Sequence, residues 1–89
     1  MYKVILTRRA QKEYESLPPA DRSKIDICLG GLTAEPRPRG VKKLHGNIHR
    51  IRIGNWRIIY AIFDKDNIVL AGKIVRRSED TYDSVKELF

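Results

Sequence analysis

Apolar residues along this chain change period from strand-like to helix-like and back. Tyr2 to Leu6 is short and rich in β-formers, which predicts a first strand. Thr7 then caps a helix in which Ala10, Tyr14 and Leu17 recur at i, i+4 and i+7, until Pro18 and Pro19 stop it. A second helix is predicted from Ala20 onward, with Ile25, Cys28, Leu29 and Leu32 on one stripe and Arg22, Lys24 and Asp26 on the opposite face. Gly30 and Gly31 weaken the end of that helix. The run Glu35, Pro36, Arg37, Pro38, Arg39, Gly40 reads as an extended loop.

From His49 to Ile53 the period becomes two: Ile51 and Ile53 fall on one face, Arg50 and Arg52 on the other. Gly54 and Asn55 tolerate positive φ and predict a two-residue hairpin. Trp56 to Phe63 is apolar at both parities apart from Arg57, the pattern of a strand covered on both sides. A second turn at Asp64 to Asn67 leads to a fourth strand, Ile68 to Val75, that ends at Arg76 and Arg77. Ser78 to Phe89 is acidic, and Tyr82, Val85 and Leu88 or Phe89 at helical spacing predict a short tail helix. The expected fold is thus a single α+β domain over residues 1–89: an N-terminal strand, a two-helix hairpin, then three antiparallel strands in a small sheet with the helices on one face. The arginines of the second and third strands belong to the other face.

Charge changes this picture most. No Asp or Glu occurs between Pro36 and Phe63, whereas Arg37, Arg39, Lys42, Lys43, Arg50, Arg52 and Arg57 all do, together with both histidines, His45 and His49. Acidic and basic side chains balance at eleven each over the rest of the chain, so the net charge of +7 comes from this one stretch. A solvated basic face would have that composition, but five of the seven cations are arginines, whose planar forks suit phosphate groups. A polyanion or an acidic protein is the implied partner. Arg37, Arg39, Lys42, Lys43 and His45 are accordingly candidate anion-binding residues.

Other classes recede. No apolar run approaches the roughly 18 residues of a membrane span, and Met1 to Leu6 runs straight into Thr7, Arg8 and Arg9, so neither an anchor nor a signal peptide is expected. Cys28 is the only cysteine, which leaves no internal disulfide, zinc knuckle or redox pair and fits a reducing cytoplasm. On the apolar stripe of the second helix it reads as a core residue rather than a nucleophile.

The stretch His49 to Tyr60, reading HRIRIGNWRIIY, the KLHG turn at Lys43 to Gly46 and the later VRRSEDTY at Val75 to Tyr82 resemble the RelE/ParE superfamily of bacterial and archaeal toxins, over nearly the whole chain. The resemblance implies the fold above and a RelE-type activity: an endoribonuclease that enters the A site of the small ribosomal subunit and cuts the bound mRNA with no metal or cofactor, driving a ribose 2′-hydroxyl onto the adjacent phosphate and stopping translation. Carried over by position, Arg50 and Arg52 match the two basic residues of the second strand, Arg57 the arginine of the third, and Arg76 the basic residue ending the fourth, with Arg77 its rival. Tyr82 matches a tyrosine that stacks on a substrate base, though it also suits a tail anchor. The family further implies a cognate antitoxin, small, encoded next door and acidic in its toxin-binding segment.

Guanidinium groups suit this chemistry because they stabilise charge building on phosphate oxygens. A general base is harder to place, since arginine does not readily deprotonate. Either the cluster works by charge and positioning alone, or His49 or His45 supplies the base, His49 reading first as a filler on the strand face away from Arg50. Two alternatives stand beside the nuclease: a ParE-like, non-catalytic inhibitor of DNA gyrase, and a degenerate basic module that only grips RNA.

Overall fold

The long apolar run after Gly54 takes the central place in a sheet, because only a strand covered on both faces buries both of its parities. A computed structural model of the protein describes residues 1–77. Its elements are β1 (Lys3–Leu6), α1 (Arg8–Glu15), α2 (Pro19–Ala34), β2 (Lys42–His45), β3 (Ile48–Ile53), β4 (Trp56–Phe63), a 3-10 turn (Asp64–Asp66) and β5 (Ile68–Arg76). The strands lie in the order β1-β5-β4-β3-β2. β1 runs parallel to β5, and the other neighbours are antiparallel. The predicted tail helix and Tyr82 lie outside the described residues. No helix among the described residues is long and apolar enough to cross a membrane.

Both helices cover one face. Leu17, Ile25 and Leu32 pack on Ile58, Tyr60, Ile62, Val69, Ala71 and Ile74, with Cys28 and Leu29 at the margin. Among the described residues, the face opposite α1 and α2 holds a small apolar cluster of Ile48, Ile59 and Ala61, flanked by Leu44. Local signals act as expected at α1, where the Thr7 hydroxyl accepts from the Ala10 amide at 3.2 Å, and at α2, where Pro19 occupies the first turn.

α2 runs past Gly30 and Gly31 to Ala34, as the stripe through Leu32 predicts, and its end is tied into the fold: the Glu35 amide caps the Gly31 carbonyl at 3.0 Å, and the Tyr2 amide donates to Thr33 at 2.7 Å. One expectation needs correction: the sheet has one strand more than predicted. Lys42–His45, part of which read as a turn, is a short edge strand, and its lysines suit an edge that must not recruit another chain. It returns into β3 through Gly46 and Asn47, a second Gly-Asn turn, with Gly46 at φ 54° and Gly54 at φ 56°.

A bulge in β5 moves one side chain from one face to the other. Tyr60 pairs with Ala71 but Ile59 pairs with Lys73, so Gly72 is an extra residue in β5, a β-bulge. Simple alternation would send Lys73 to the same side as Val69 and Ala71, into the core beneath the helices. The bulge turns it over.

Candidate nucleic-acid interface

Residues paired across an antiparallel ladder share a face, so the register states which cations meet. Arg52 lies directly opposite Arg57, while Arg50 lies opposite Ile59, whose other partner is Lys73. Lys42 in turn pairs with Arg50. Two rows result on the face opposite α1 and α2: Lys42, Arg50, Ile59 and Lys73 across four strands, then Arg52, Arg57 and Val75 about 7 Å along them toward the hairpin. Arg57, Arg50 and Lys73 expose only 6%, 7% and 9% of their surface, whereas Arg52 is exposed.

The hairpin end of this face opens into a cleft of about 450 Å³ lined by Asn55, Arg57, Arg76 and Arg77. Its position follows from the hairpin and the end of β5, which are pinned together where the Arg77 amide donates to the Asn55 carbonyl at 2.8 Å. Arg77 therefore stands beside the cluster. Arg76 is placed differently from the expectation that it simply joins Arg50, Arg52 and Arg57 on one face. It pairs with Trp56 and lays its guanidinium over the indole, 4.9 Å from the ring centroid, on the helix side of the sheet. It reaches the cleft as a wall between the two faces.

The basic loop residues separate as well. Arg37 is at the opposite end of β4, where its fork donates to both carboxylate oxygens of Asp64 at 3.2 and 2.8 Å, and the Tyr2 hydroxyl donates to the same group. Hydrogen bonds from Arg37 first and Tyr2 second hold the Asp64 carboxyl below its usual range. Arg37 is thus a clasp between loop and turn, not a member of the cationic face. Arg39 is exposed in the loop, and Lys43, opposite His49, belongs with the helix-side parity of the edge strand. His45 is exposed past the β2 bulge, opposite Ile48 and roughly 13 Å along β3 from Arg52.

His49 fills space as its strand face predicts. Its ring stacks on Tyr60 at 5.9 Å between centroids, and its Nδ1 donates to the Asn47 carbonyl at 3.0 Å. Burial first, with help from Arg37 and Lys43, pushes its pKa below the ordinary histidine value. A ring held on the inner face beside Tyr60 does not reach a phosphate on the outer one. Burial likewise pushes the Cys28 thiol up to about 11, which leaves it a poor nucleophile.

Sequence reading missed Lys73. The signal was present as Gly72 next to a lone lysine in an otherwise apolar strand, since glycine inside a strand often marks a bulge. What the face can do chemically is bind a phosphodiester: rigid forks from two strands and an ammonium from a third converge beside an open cleft.

Comparison with known proteins agrees with this fold. The family model for the ParE toxin of type II toxin–antitoxin systems matches residues 4–81. A Methanocaldococcus jannaschii protein named toxin RelE1 is 31% identical over 81 residues, covering 85% of this chain and 90% of that one. The archaeal RelE–RelB complex from Pyrococcus horikoshii aligns with a TM-score of 0.81 at 30% identity, over 89% of this chain and 98% of that one. The toxin–antitoxin complex RelBE2 of Mycobacterium tuberculosis aligns at 0.74 with 28% identity, over 85% of this chain and 98% of that one. The fold, the hairpin with its arginines and these matches together place the chain in the RelE/ParE superfamily, as a RelE-like toxin of a type II toxin–antitoxin system.

Proposed function

We propose that this toxin is a ribosome-dependent endoribonuclease that cuts mRNA in the A site without a metal cofactor. The observation that carries the reading is the pairing of Arg52 with Arg57, flanked by enclosed Arg50 and Lys73, on the sheet face opposite α1 and α2. In the proposed step a ribose 2′-oxygen attacks the adjacent phosphorus, the bond to the 5′-oxygen breaks, and a 2′,3′-cyclic phosphate forms. The 2′-hydroxyl loses its proton and the leaving oxygen gains one. Arg50, Arg52 and Arg57 hold the phosphate oxygens as charge builds on them, each contributing on the order of 10²- to 10³-fold if aligned. Arg77 supplies a further cation at the cleft, and Tyr82 is proposed to stack on a substrate base. Positioning and charge carry most of the acceleration, because His49 lies on the helix side of the sheet and His45 stands roughly 13 Å along it from Arg52.

A cognate antitoxin is part of the same reading. Solved relatives are complexes of RelE with RelB, and an acidic segment would complement a face built from arginine and lysine. A cytoplasmic site of action follows from a ribosomal target.

The test is a translation complex carrying a defined message, with cleavage mapped to the nucleotide. Cuts within the A-site codon are expected from the wild-type protein, and Arg57→Ala should lose about 10²-fold or more of the cutting while keeping its far-UV circular dichroism. The family model's ParE description favours one second reading, inhibition of DNA gyrase. An intact message together with blocked supercoiling would decide for it.

A further inference from the structure

A second depression adjoins the cationic cleft and shares Arg76 with it. It is a groove of about 310 Å³ between the C-terminal half of α1 and the ends of β4 and β5. Leu17 and Ile74, both buried, make it apolar, and the half-buried indole of Trp56 lines it. Its polar residues are Lys12 and Glu13 of α1, Ser16 at the C-cap of α1, and Arg76 of β5. Two of these are already oriented: Glu13 accepts from the Ile74 amide at 2.9 Å, and the Arg76 guanidinium lies over the indole.

Such a groove matches one part of a nucleotide. It is at the small end of the volumes that take organic ligands, it is mainly apolar, and it carries a few fixed polar groups. Its flat elements are an indole and a guanidinium, the two planes on which proteins stack unpaired bases. The neighbouring cleft is cationic, so a chain passing from one to the other meets a phosphate site and then an aromatic site separated by a single side chain. That is the order of groups along a single strand of RNA.

We infer that this groove is a nucleobase subsite, which holds a base flanking the phosphate bound at Arg52 and Arg57, with Trp56 and Arg76 as the stacking platform. Lys12 reads the base edge. An ammonium at the rim selects bases that offer acceptors there, guanine with its O6 and N7 above the others. The inference rests on the RNA reading of the cationic face but concerns a different step, binding rather than cleavage. It also gives a reason for the place of Arg76, which serves the base from one side and the phosphate cleft from the other.

Trp56 is the only tryptophan, so its emission reports the groove directly. The probe is a trinucleotide with 2′-O-methyl riboses, GGG against AAA and against an abasic backbone of equal charge. Saturable quenching is expected with the bases present, strongest with GGG, and none with the abasic strand. Lys12→Ala should weaken the GGG response about tenfold and bring it to the level of AAA. Trp56→Ala, followed by anisotropy of a labelled strand, should weaken binding about tenfold or more, and the Lys12 variant keeps the test decisive should that protein not fold. Equal emission with all three probes, or quenching by the abasic strand alone, overturns the subsite. Quenching by bases from a protein that leaves ribosome-bound message whole would keep the subsite and sink the nuclease.

Discussion

Where β4 runs out into the 3-10 turn, Arg37 forks onto Asp64 and Tyr2 completes the contact; at the hairpin end of the same strand, roughly 24 Å away, Arg57 faces Arg52 and borders an open cleft. Both arginines come from the long stretch between Pro36 and Phe63 that has no acidic residue. The turn end imports its carboxylate from just beyond that stretch and spends the cation on closing a loop. The hairpin end gathers cations from β3 and β4 and from the residues that close β5, and encloses some of them. Counting basic residues does not separate a clasp from a binding face. The identity of the cross-strand neighbour does.

The sharpest break in this comparison is catalytic. Arg57→Ala should remove about 10²-fold or more of message cleavage, whereas Arg37→Ala should leave cleavage on the ribosome unchanged. Equal losses from both would mean that the two ends form one functional surface. Next in size is Lys73→Ala, for which cleavage should fall about tenfold, less than for Arg57 because Lys73 lies one row further from the hairpin. Activity indifferent to that change would show the bulge to be a packing device only.

Smaller effects concern stability against pH. Burial keeps the folded pKa of His49 below that of the unfolded chain, so its contribution is complete above about pH 6.5 and is lost as pH falls toward the folded value. His49→Phe should flatten that decline in thermal melts from pH 7.5 to 5 and leave cleavage at pH 7.5 intact, as suits a ring stacked inside the fold. The smallest effect belongs to the clasp. Asp64 has a lowered pKa, so its contribution is present above the ordinary aspartate value and is lost as pH drops through the folded one. Urea midpoints of wild type and Asp64→Asn should differ slightly at pH 6 and converge below about pH 4, the salt-screened behaviour of an exposed pair.

Most of the scaffold was legible because local rules and tertiary needs agree. Thr7, Pro18 and Pro19 punctuate the helices where the structure does, and the double apolar parity of Trp56 to Phe63 identifies the central strand. β2 was hidden, since an edge strand of four residues with three charged or histidine positions has no apolar alternation to read. The arginine pair was legible as far as alternation and a two-residue turn determine register. Arg37 was misplaced for the opposite reason: its partner is 27 positions away, and nothing local announces it.

By itself the sequence determined the element types, the parity that separates Ile51 and Ile53 from Arg50 and Arg52, and the concentration of positive charge in one stretch, because each depends on residues within a few positions of one another. Tertiary structure decided which cations share a neighbourhood. One inserted glycine turned Lys73 toward the arginines, one cross-strand pairing set Arg76 on Trp56, and one distant carboxylate claimed Arg37. Register and long-range pairing are properties of the packed sheet, and a single extra residue reverses a face.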